Sequence, residues 1–344
     1  MVLDGALPSP NILGPEKSNS EASSVYEEHS EEIASVFRTM GHDITSASLD
    51  KIYKIARPWT MGDHWALQEK IQVDESKNKE LMKHFERMGM VGSIMPTGDT
   101  YNHLIVLGGT ALGNDRRTQF AKGLLDKEAI KLADGGDMWF WAGQRPRLDR
   151  ETPALINTKA RYLEQYQEDR WLQRQSGLLE SAGEWGRPLA TETELARLSL
   201  MGAFGPMQMR YARLQVGLQK LIEGVPVRAV PYRSFEILDP GTKIGVTILD
   251  AAAVRRPQGV PRHTTSSSAT EWIKYAQPNS GARVLVINNN PHIQRGNADI
   301  QIAFNAVGRS DLQLESAGPA ALETTPAQVY LGEIARMIYN AKSA

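Results

Sequence analysis

Two short apolar runs, each followed by a polar turn and then by arginine, constrain the fold of this chain most strongly. Residues 284–287 (Val-Leu-Val-Ile) lead into Asn-Asn-Asn-Pro-His at 288–292, and residues 103–107 lead into Gly-Gly at 108–109. A short apolar run that ends in Asn, Pro or Gly predicts a buried strand that gives way to a helix. In an open parallel sheet such strand ends meet at the carboxyl edge, where ligands bind.

The turn after the run at 284–287 carries a candidate proton-transfer residue. Asn290 is a natural N-cap and Pro291 fits the first helical position, so His292 and Arg295 are expected in the first turn. A cation there is unfavourable by about 0.3–1 kcal/mol without an anion, so Arg295 is expected to face a ligand or a carboxylate. The same position favours a neutral imidazole, which suits His292 as a general acid or base. The alternative is that His292 hydrogen-bonds its own loop.

The glycine turn at 108–109 allows a tight bend and a close approach of the backbone to a ligand. Asn114 or Asp115 is expected to cap the next helix, which places Arg116 and Arg117 in its first turn. One of the two arginines is expected to face the site. The turn matches neither the Gly-x-Gly-x-x-Gly pattern nor a P-loop, so neither assignment is supported.

The composition is that of a globular protein, with 344 residues, 41% of them hydrophobic and 23% charged. The net charge of −1 argues against nucleic acid as the main partner. The absence of cysteine excludes disulfides and thiol nucleophiles. The sequence shows neither a signal-peptide pattern nor an apolar run near the ~20 residues that span a bilayer, so no membrane association and a cytoplasmic location are expected.

The chain divides into three predicted parts. Residues 1–24 are rich in Pro, Ser, Asn and Glu and are expected to be a disordered tail. Residues 25–100 show helical spacing and predict an N-terminal helical layer. Residues 101–344 alternate predicted strands and helices, with a polar helical insertion at 145–190. This alternation predicts an α/β, Rossmann-like fold, a mostly parallel sheet with helices on both faces.

Local patterns add further helix and core predictions. Capping boxes at 191–194 and 268–271 predict two helix starts, and a helix is also predicted over 207–222. Glu192 in the first box is expected to cap its helix, with catalysis as the alternative. Trp139 and Trp141 lie on one face of a predicted strand and are expected in the core.

The order of these segments resembles the YdcF/SanA/ElyC-type family. In that family a strand ends in Gly-Gly before an Arg-bearing helix, and a second strand ends in Gly. A Ser/Thr-Glu segment and a Thr-containing helix start follow, and the last strand leads to a turn with His and Arg. The matching positions, within 102–310, are Gly108, Gly109, Arg116 or Arg117, Gly143, Thr191 to Glu194, Thr264 or Thr265, and His292 with Arg295.

The chain also departs from the family pattern. Ala142-Gly143-Gln144 stands where the family often has Ser-Gly-Gly, and the Asn-Thr-x-Glu-Asn element appears only as His-Thr-Thr-Ser-Ser at 263–267. The membrane anchor of the SanA and ElyC branch is absent, so the soluble YdcF-like branch fits better. The resemblance implies a Rossmann-like fold and S-adenosylmethionine as a candidate cofactor, but no particular reaction.

The expected function is an enzyme that binds an anionic or nucleotide-like small molecule at the sheet edge and performs transfer or hydrolysis. His292 is the candidate catalytic residue, and no histidine spacing indicates a metal site. The alternative is a non-catalytic small-molecule sensor that uses the same pocket. The candidate ligand-binding residues are Gly108, Gly109, Thr110, Asn114, Arg116, Arg117, Gly143, Glu192, Thr265, Asn288 and Arg295.

Overall fold

The structure is a computed structural model of the chain. The predicted tail at 1–24 and the predicted insertion at 145–190 lie outside the described residues. The described residues are 25–60, 71–143, 192–204, 208–209, 221–222, 225–226, 230–239, 242–251 and 263–343.

Helices form where apolar residues recur at helical spacing. The first of them shows the pattern, since Ile33, Val36 and Phe37 are buried on one face. In chain order the helices are α1 (Ser30–Thr39), α2 (Leu49–Thr60), α3 (Glu75–Arg87), α4 (Ala111–Asp126), α5 (Glu192–Phe204), α6 (Thr265–Ala276), α7 (Ile293–Ala306) and α8 (Ala327–Ser343).

The strands form a seven-stranded sheet and, separately, a two-stranded ribbon of β4 and β5 within the described residues. The large sheet has the order β3-β6-β7-β2-β1-β8-β9. The five strands from β7 to β9 are parallel, and β6 and β3 extend the sheet antiparallel to their neighbours. The predicted α/β fold with a mostly parallel sheet is confirmed. The strands are β1 (Thr100–Leu107), β2 (Lys131–Gly143), β3 (Gln208–Met209), β4 (Leu221–Ile222), β5 (Val225–Pro226), β6 (Val230–Asp239), β7 (Thr242–Ala251), β8 (Arg283–Ile287) and β9 (Gln313–Ala317).

Helices cover both faces of the parallel strands. Side chains alternate between the faces along each strand. In β1, Leu104 and Val106 pack toward α4 and α5, whereas Ile105 packs toward α6 and α7. Trp139 and Trp141 share the second face and are buried, as predicted. The arrangement is a three-layer α/β sandwich.

The C-terminal helix packs with the N-terminal helices in a third hydrophobic core. Helix α8 buries an apolar face, which includes Leu331, Ile334 and Ile338, against α1, α2 and α3. Phe85 of α3 stacks on Tyr330 of α8, with ring centroids 4.7 Å apart. The N-terminal layer therefore surrounds the last helix of the chain.

Two local predictions are wrong. Helix α6 begins at Thr265, one turn before the predicted box, because Thr264 and Ser267 form a capping box of their own. Ser268 is thereby free to be buried, at 1% exposure. The predicted helix over 207–222 is replaced at its described ends by the short strands β3 and β4.

Candidate functional site

The candidate site lies where the strand order reverses. The chain proceeds from β1 outward to β2 and β7, and then returns to β8 on the other side of β1. In an open α/β sheet this switch point opens a crevice beyond the carboxyl ends of the strands. Val106 pairs with Ile287 at those ends, so the two turns singled out in the sequence lie side by side.

Arg117 joins the two turns. Its guanidinium donates from Nη1 to the carbonyls of Leu107 and Gly108, both at 2.7 Å, and from Nε to Oδ1 of Asn289 at 2.6 Å. Burial of this guanidinium lowers its pKa to about 10, although the nearby Glu192 carboxylate opposes that shift. Arg117, and not Arg116, is thus the arginine whose buried guanidinium bonds both turns.

Helix α4 begins earlier than predicted. Its N-cap is Thr110, whose hydroxyl accepts from the Gly113 amide at 3.2 Å, so the prediction of Asn114 or Asp115 as the cap is wrong. The glycine turn brings the chain into the helix four residues sooner than the Asn114 side chain suggests, so Arg116 and Arg117 lie in the second turn and not, as predicted, in the first. The N-terminus of α4 therefore follows directly from the end of β1.

Other residues of α4 have different surroundings. Arg116 donates from Nη2 to the Ala320 carbonyl at 2.6 Å, a neutral acceptor beyond the end of β9. Asn114 is completely buried, and neither polar atom of its side chain has a hydrogen-bond partner among the described residues. A buried amide without partners is costly unless another group satisfies it.

The β8 turn is held by its own asparagines. Asn288 donates from Nδ2 to the His292 carbonyl at 3.0 Å, which closes the turn. Asn290 is not the N-cap that the sequence predicted; that position is His292. The Asn290 amide nitrogen donates instead to the carbonyls of Gly89 and Gly92, at 2.8 Å and 2.6 Å, and its Oδ1 accepts no hydrogen bond from the described residues. The helical layer is therefore bonded directly to this turn.

His292 and Arg295 share a buried carboxylate from the C-terminal helix. Oε1 of Glu333 lies 3.1 Å from Nδ1 of His292, and Oε2 accepts from Nε of Arg295 at 2.7 Å. Arg295 also donates to Asp299 at 2.6 Å. Burial disfavours the charged forms of both Glu333 and Arg295. Arg295, His292 and Arg336 nevertheless hold the pKa of Glu333 well below its usual value. Glu333 and Asp299 together raise the pKa of Arg295. Of the two partners expected for Arg295, a ligand or a carboxylate, the fold supplies a carboxylate.

A second imidazole and carboxylate meet on the other side of β1. Nε2 of His263 lies 3.6 Å from Oε1 of Glu192, and the two side chains are 14% and 2% exposed. A Cβ added at Gly108 would overlap Oε1 of Glu192, and one added at Gly143 would overlap the His263 ring. Neither glycine has a positive φ. The two glycines at the strand ends are therefore required for space, not for backbone conformation.

Most of the predicted site residues lie at the carboxyl edge of the parallel strands, and the others lie around that edge. Thr265 is the first residue of α6, and the neighbouring Ser266 contacts the Asp299 carbonyl at 3.4 Å. Gly143 is covered by His263. The residues in contact around the switch point are Gly108, Gly109, Thr110, Arg117, Glu192, Asn288, Asn289 and His263, with His292, Arg295 and Glu333 beside them.

Sequence reasoning missed Glu333 and did not single out His263. Glu333 is an acidic residue within the apolar repeat of α8, and that position is what could have indicated a buried carboxylate. His263 precedes the Thr-Thr-Ser-Ser segment, and only its position beside a glycine strand end distinguishes it.

No protein-family profile, curated protein sequence or solved structure matches this chain. Among the helices in the described residues, none is long and apolar enough to cross a bilayer.

Proposed function

We propose that this chain is an enzyme that binds an anionic or nucleotide-like small molecule at the switch point. His292 would act as general acid or base in a transfer or hydrolysis reaction. The observation that carries the proposal is the 28% exposed His292 side chain, which lies 3.1 Å from the 3% exposed Glu333 carboxylate. The Glu333 carboxylate is an ion-pair neighbour of Nδ1, which neither accepts nor donates a hydrogen bond within the described residues, so Nε2 is the ring nitrogen left to exchange a proton with a ligand.

The anion-binding half of the proposed site is the glycine turn with the start of α4. The first amides of a helix have no intrahelical acceptor, and this end carries partial positive charge. Leu112, in the first turn, is 48% exposed. The amides of Gly113 and Asn114 already donate to Thr110, so the amides of Ala111 and Leu112 are the ones that would serve an anion. Phosphate and carboxylate groups bind readily at such a position. Arg116 adds positive charge nearby, since its bonded partner at Ala320 is a neutral carbonyl.

S-adenosylmethionine remains a candidate ligand because of the YdcF-like resemblance. Nucleotides and sugar phosphates offer the same combination of an anionic group and a ribose or sugar. Strand β2 ends at Ala142 and Gly143, so it provides no carboxylate at the position where dinucleotide-binding folds hold a ribose. This difference favours ligands other than a dinucleotide.

The test begins with mass spectrometry of small molecules released when the purified full chain is denatured. The released compound is then titrated and assayed for turnover with the wild-type protein, His292→Gln and His42→Gln. His42 is exposed and serves as the control. We expect His292→Gln to lower turnover by about 10²–10⁴-fold, the usual contribution of a general acid or base. Binding should change far less.

The outcomes separate the alternatives. Turnover that survives in His292→Gln would overturn the catalytic role. Binding of the released compound without any chemical change in the wild-type protein would support a sensor instead. Binding that is equally weakened by His42→Gln would place the ligand away from the switch point.

A further inference from the structure

We infer that Asn114 binds a pair of neighbouring hydroxyl groups on the ligand, next to the anionic group at the start of α4. The inference rests on the proposed function and adds to it a class of ligand, a phosphorylated sugar or polyol. Asn114 is 0% exposed, and neither Nδ2 nor Oδ1 of its side chain has a hydrogen-bond partner among the described residues. A buried amide of this kind needs a partner that the fold itself does not supply.

The unpaired atoms of Asn114 belong to its side chain alone. Its backbone amide donates to the Thr110 carbonyl at 2.8 Å, and its backbone carbonyl accepts from the Thr118 hydroxyl at 2.7 Å. The neighbouring polar side chains on α4 are bonded as well. The Thr110 hydroxyl accepts from the Gly113 amide, and the Arg117 guanidinium bonds both turns of the site. The helix therefore holds the Asn114 side chain in place without satisfying it.

The Asn114 side chain points toward the crevice beyond the end of β1. Asn114 lies on the buried face of α4 together with Arg117 and Thr118, three and four residues further along the helix. Arg117 bonds the carbonyls of Leu107, the last residue of β1, and of Gly108. Asn114 is about one turn closer to the N-terminus of α4, and helical side chains lean toward that end. The amide of Asn114 thus lies on the open side of the strand end.

The proposed anion site adjoins this amide. Residues 108–113 are partly or fully exposed, so Asn114 lies directly beneath the surface of the glycine turn. Ala111 and Leu112, whose amides would serve the anion, precede Asn114 by three and two residues. This separation is about 3–4.5 Å along the helix axis. The groups that follow the anionic group in a ligand can therefore reach the Asn114 side chain.

The two unpaired atoms of Asn114 determine the kind of group that fits. Nδ2 is a donor and Oδ1 is an acceptor, so a complete partner both accepts and donates. An anionic oxygen only accepts and an ammonium group only donates, so each would leave one atom of the amide unpaired. In a vicinal diol one hydroxyl accepts from Nδ2 and the other donates to Oδ1. Hydroxyl groups are also close in size to the ordered water that usually satisfies buried polar groups.

The test compares two probes that differ only in their hydroxyl groups. Glycerol phosphate, esterified at a terminal carbon, carries a vicinal diol, and propyl phosphate carries none. Both are titrated against the full chain by ligand-detected NMR. We expect the wild-type protein to bind glycerol phosphate about tenfold more tightly than propyl phosphate, because the diol completes the buried amide.

Variants assign this preference to Asn114. Asn114→Leu keeps the approximate size of the side chain but removes its donor and its acceptor, so the variant should bind both probes with the wild-type affinity for propyl phosphate. If melting curves show that Asn114→Leu does not fold, Asn114→Ala replaces it. Asn78→Leu is the matched control, since Asn78 is exposed on α3, and it should keep the tenfold preference.

Each failure has its own pattern. A tenfold preference that persists in Asn114→Leu would show that water satisfies the amide and would overturn the role of Asn114. Equal binding of the two probes by the wild-type protein would overturn the diol and leave the anion site standing. Binding of neither probe would contradict the anion site of the proposed function, and this inference with it.

Discussion

Oε1 of Glu333 lies 3.1 Å from Nδ1 of His292, which connects the C-terminal helix to the turn after β8. The same carboxylate accepts from Arg295 at 2.7 Å and from Arg336 at 3.1 Å. Glu333 is only 3% exposed. One buried carboxylate is therefore the shared partner of an imidazole and two guanidinium groups.

Glu333→Gln should therefore destabilise the fold strongly. Removing one partner of a buried ion pair costs about 3–5 kcal/mol, because the remaining charges stay buried without compensation. Urea unfolding of the wild-type protein and the variant measures the difference. Glu271→Gln is the matched control, since Glu271 pairs with the 61% exposed Lys274 and should contribute at most about 1 kcal/mol. Equal effects of the two changes would contradict a buried network.

The contribution of Glu333 to stability should depend on pH in one direction. Its pKa in the folded chain lies well below 4.5, the value of an unperturbed glutamate, because Arg295 and His292 stabilise the carboxylate against the effect of burial. A group with a lowered pKa stabilises the fold above its unfolded value and loses that contribution as the pH falls. The stability difference between wild type and Glu333→Gln should be constant above pH 4.5 and shrink below it. A difference that grows in acid would refute this assignment.

Arg295→Gln is also expected to destabilise the ligand-free protein, by about 3–5 kcal/mol, because Arg295 belongs to the same buried network. The helix position alone predicts the opposite sign, since a cation there costs about 0.3–1 kcal/mol without an anion. The two carboxylates of Glu333 and Asp299 decide the sign. Arg309→Gln, in a more exposed pair with Asp311, is the control and should have a small effect. A Tm for Arg295→Gln at or above the wild-type value would contradict the structure.

Gly108→Ala tests the crowding at the end of β1. The added methyl group would overlap the backbone carbonyl of Trp141 and the Glu192 carboxylate, so a loss of about 1–3 kcal/mol is expected from overpacking. Gly123→Ala in the middle of α4 meets no atom within 4 Å and should stabilise the protein by up to about 1 kcal/mol. Chemical denaturation of both variants checks the contrast in sign. Stabilisation by Gly108→Ala would show that the close contact with Glu192 does not exist.

Local sequence patterns were sufficient to predict the parallel sheet and the position of its edge. The apolar runs of β1 and β8, followed by Gly-Gly and Asn-Asn, marked the two turns that meet at the switch point. Helix starts were less predictable, since Thr110 and Thr264 cap one turn earlier than the competing side chains nearby. A short-range pattern does not rank several capping residues that stand close together.

The partners of the site residues could not be predicted from local pattern. Glu333 is 38 residues from Arg295 in sequence, and Asn290 bonds to a carbonyl 201 residues away. Such contacts depend on how α8 and α3 pack against α7 and the β8 turn, which no local spacing specifies. The sequence predicted that Arg295 has a negatively charged partner, and the structure contains two carboxylates beside it. The sequence alone left open whether a ligand or a carboxylate is that partner.

The proposed function places an anionic ligand beside His292 at the switch point. A crystal structure of the full chain grown with orthovanadate, a tetrahedral analogue of phosphate, tests this placement. We predict an anion about 2.7–3.2 Å from Nε2 of His292 and from the first backbone amides of α4. An anion bound elsewhere on the molecule, with water alone between His292 and the glycine turn, would contradict the proposed anion site.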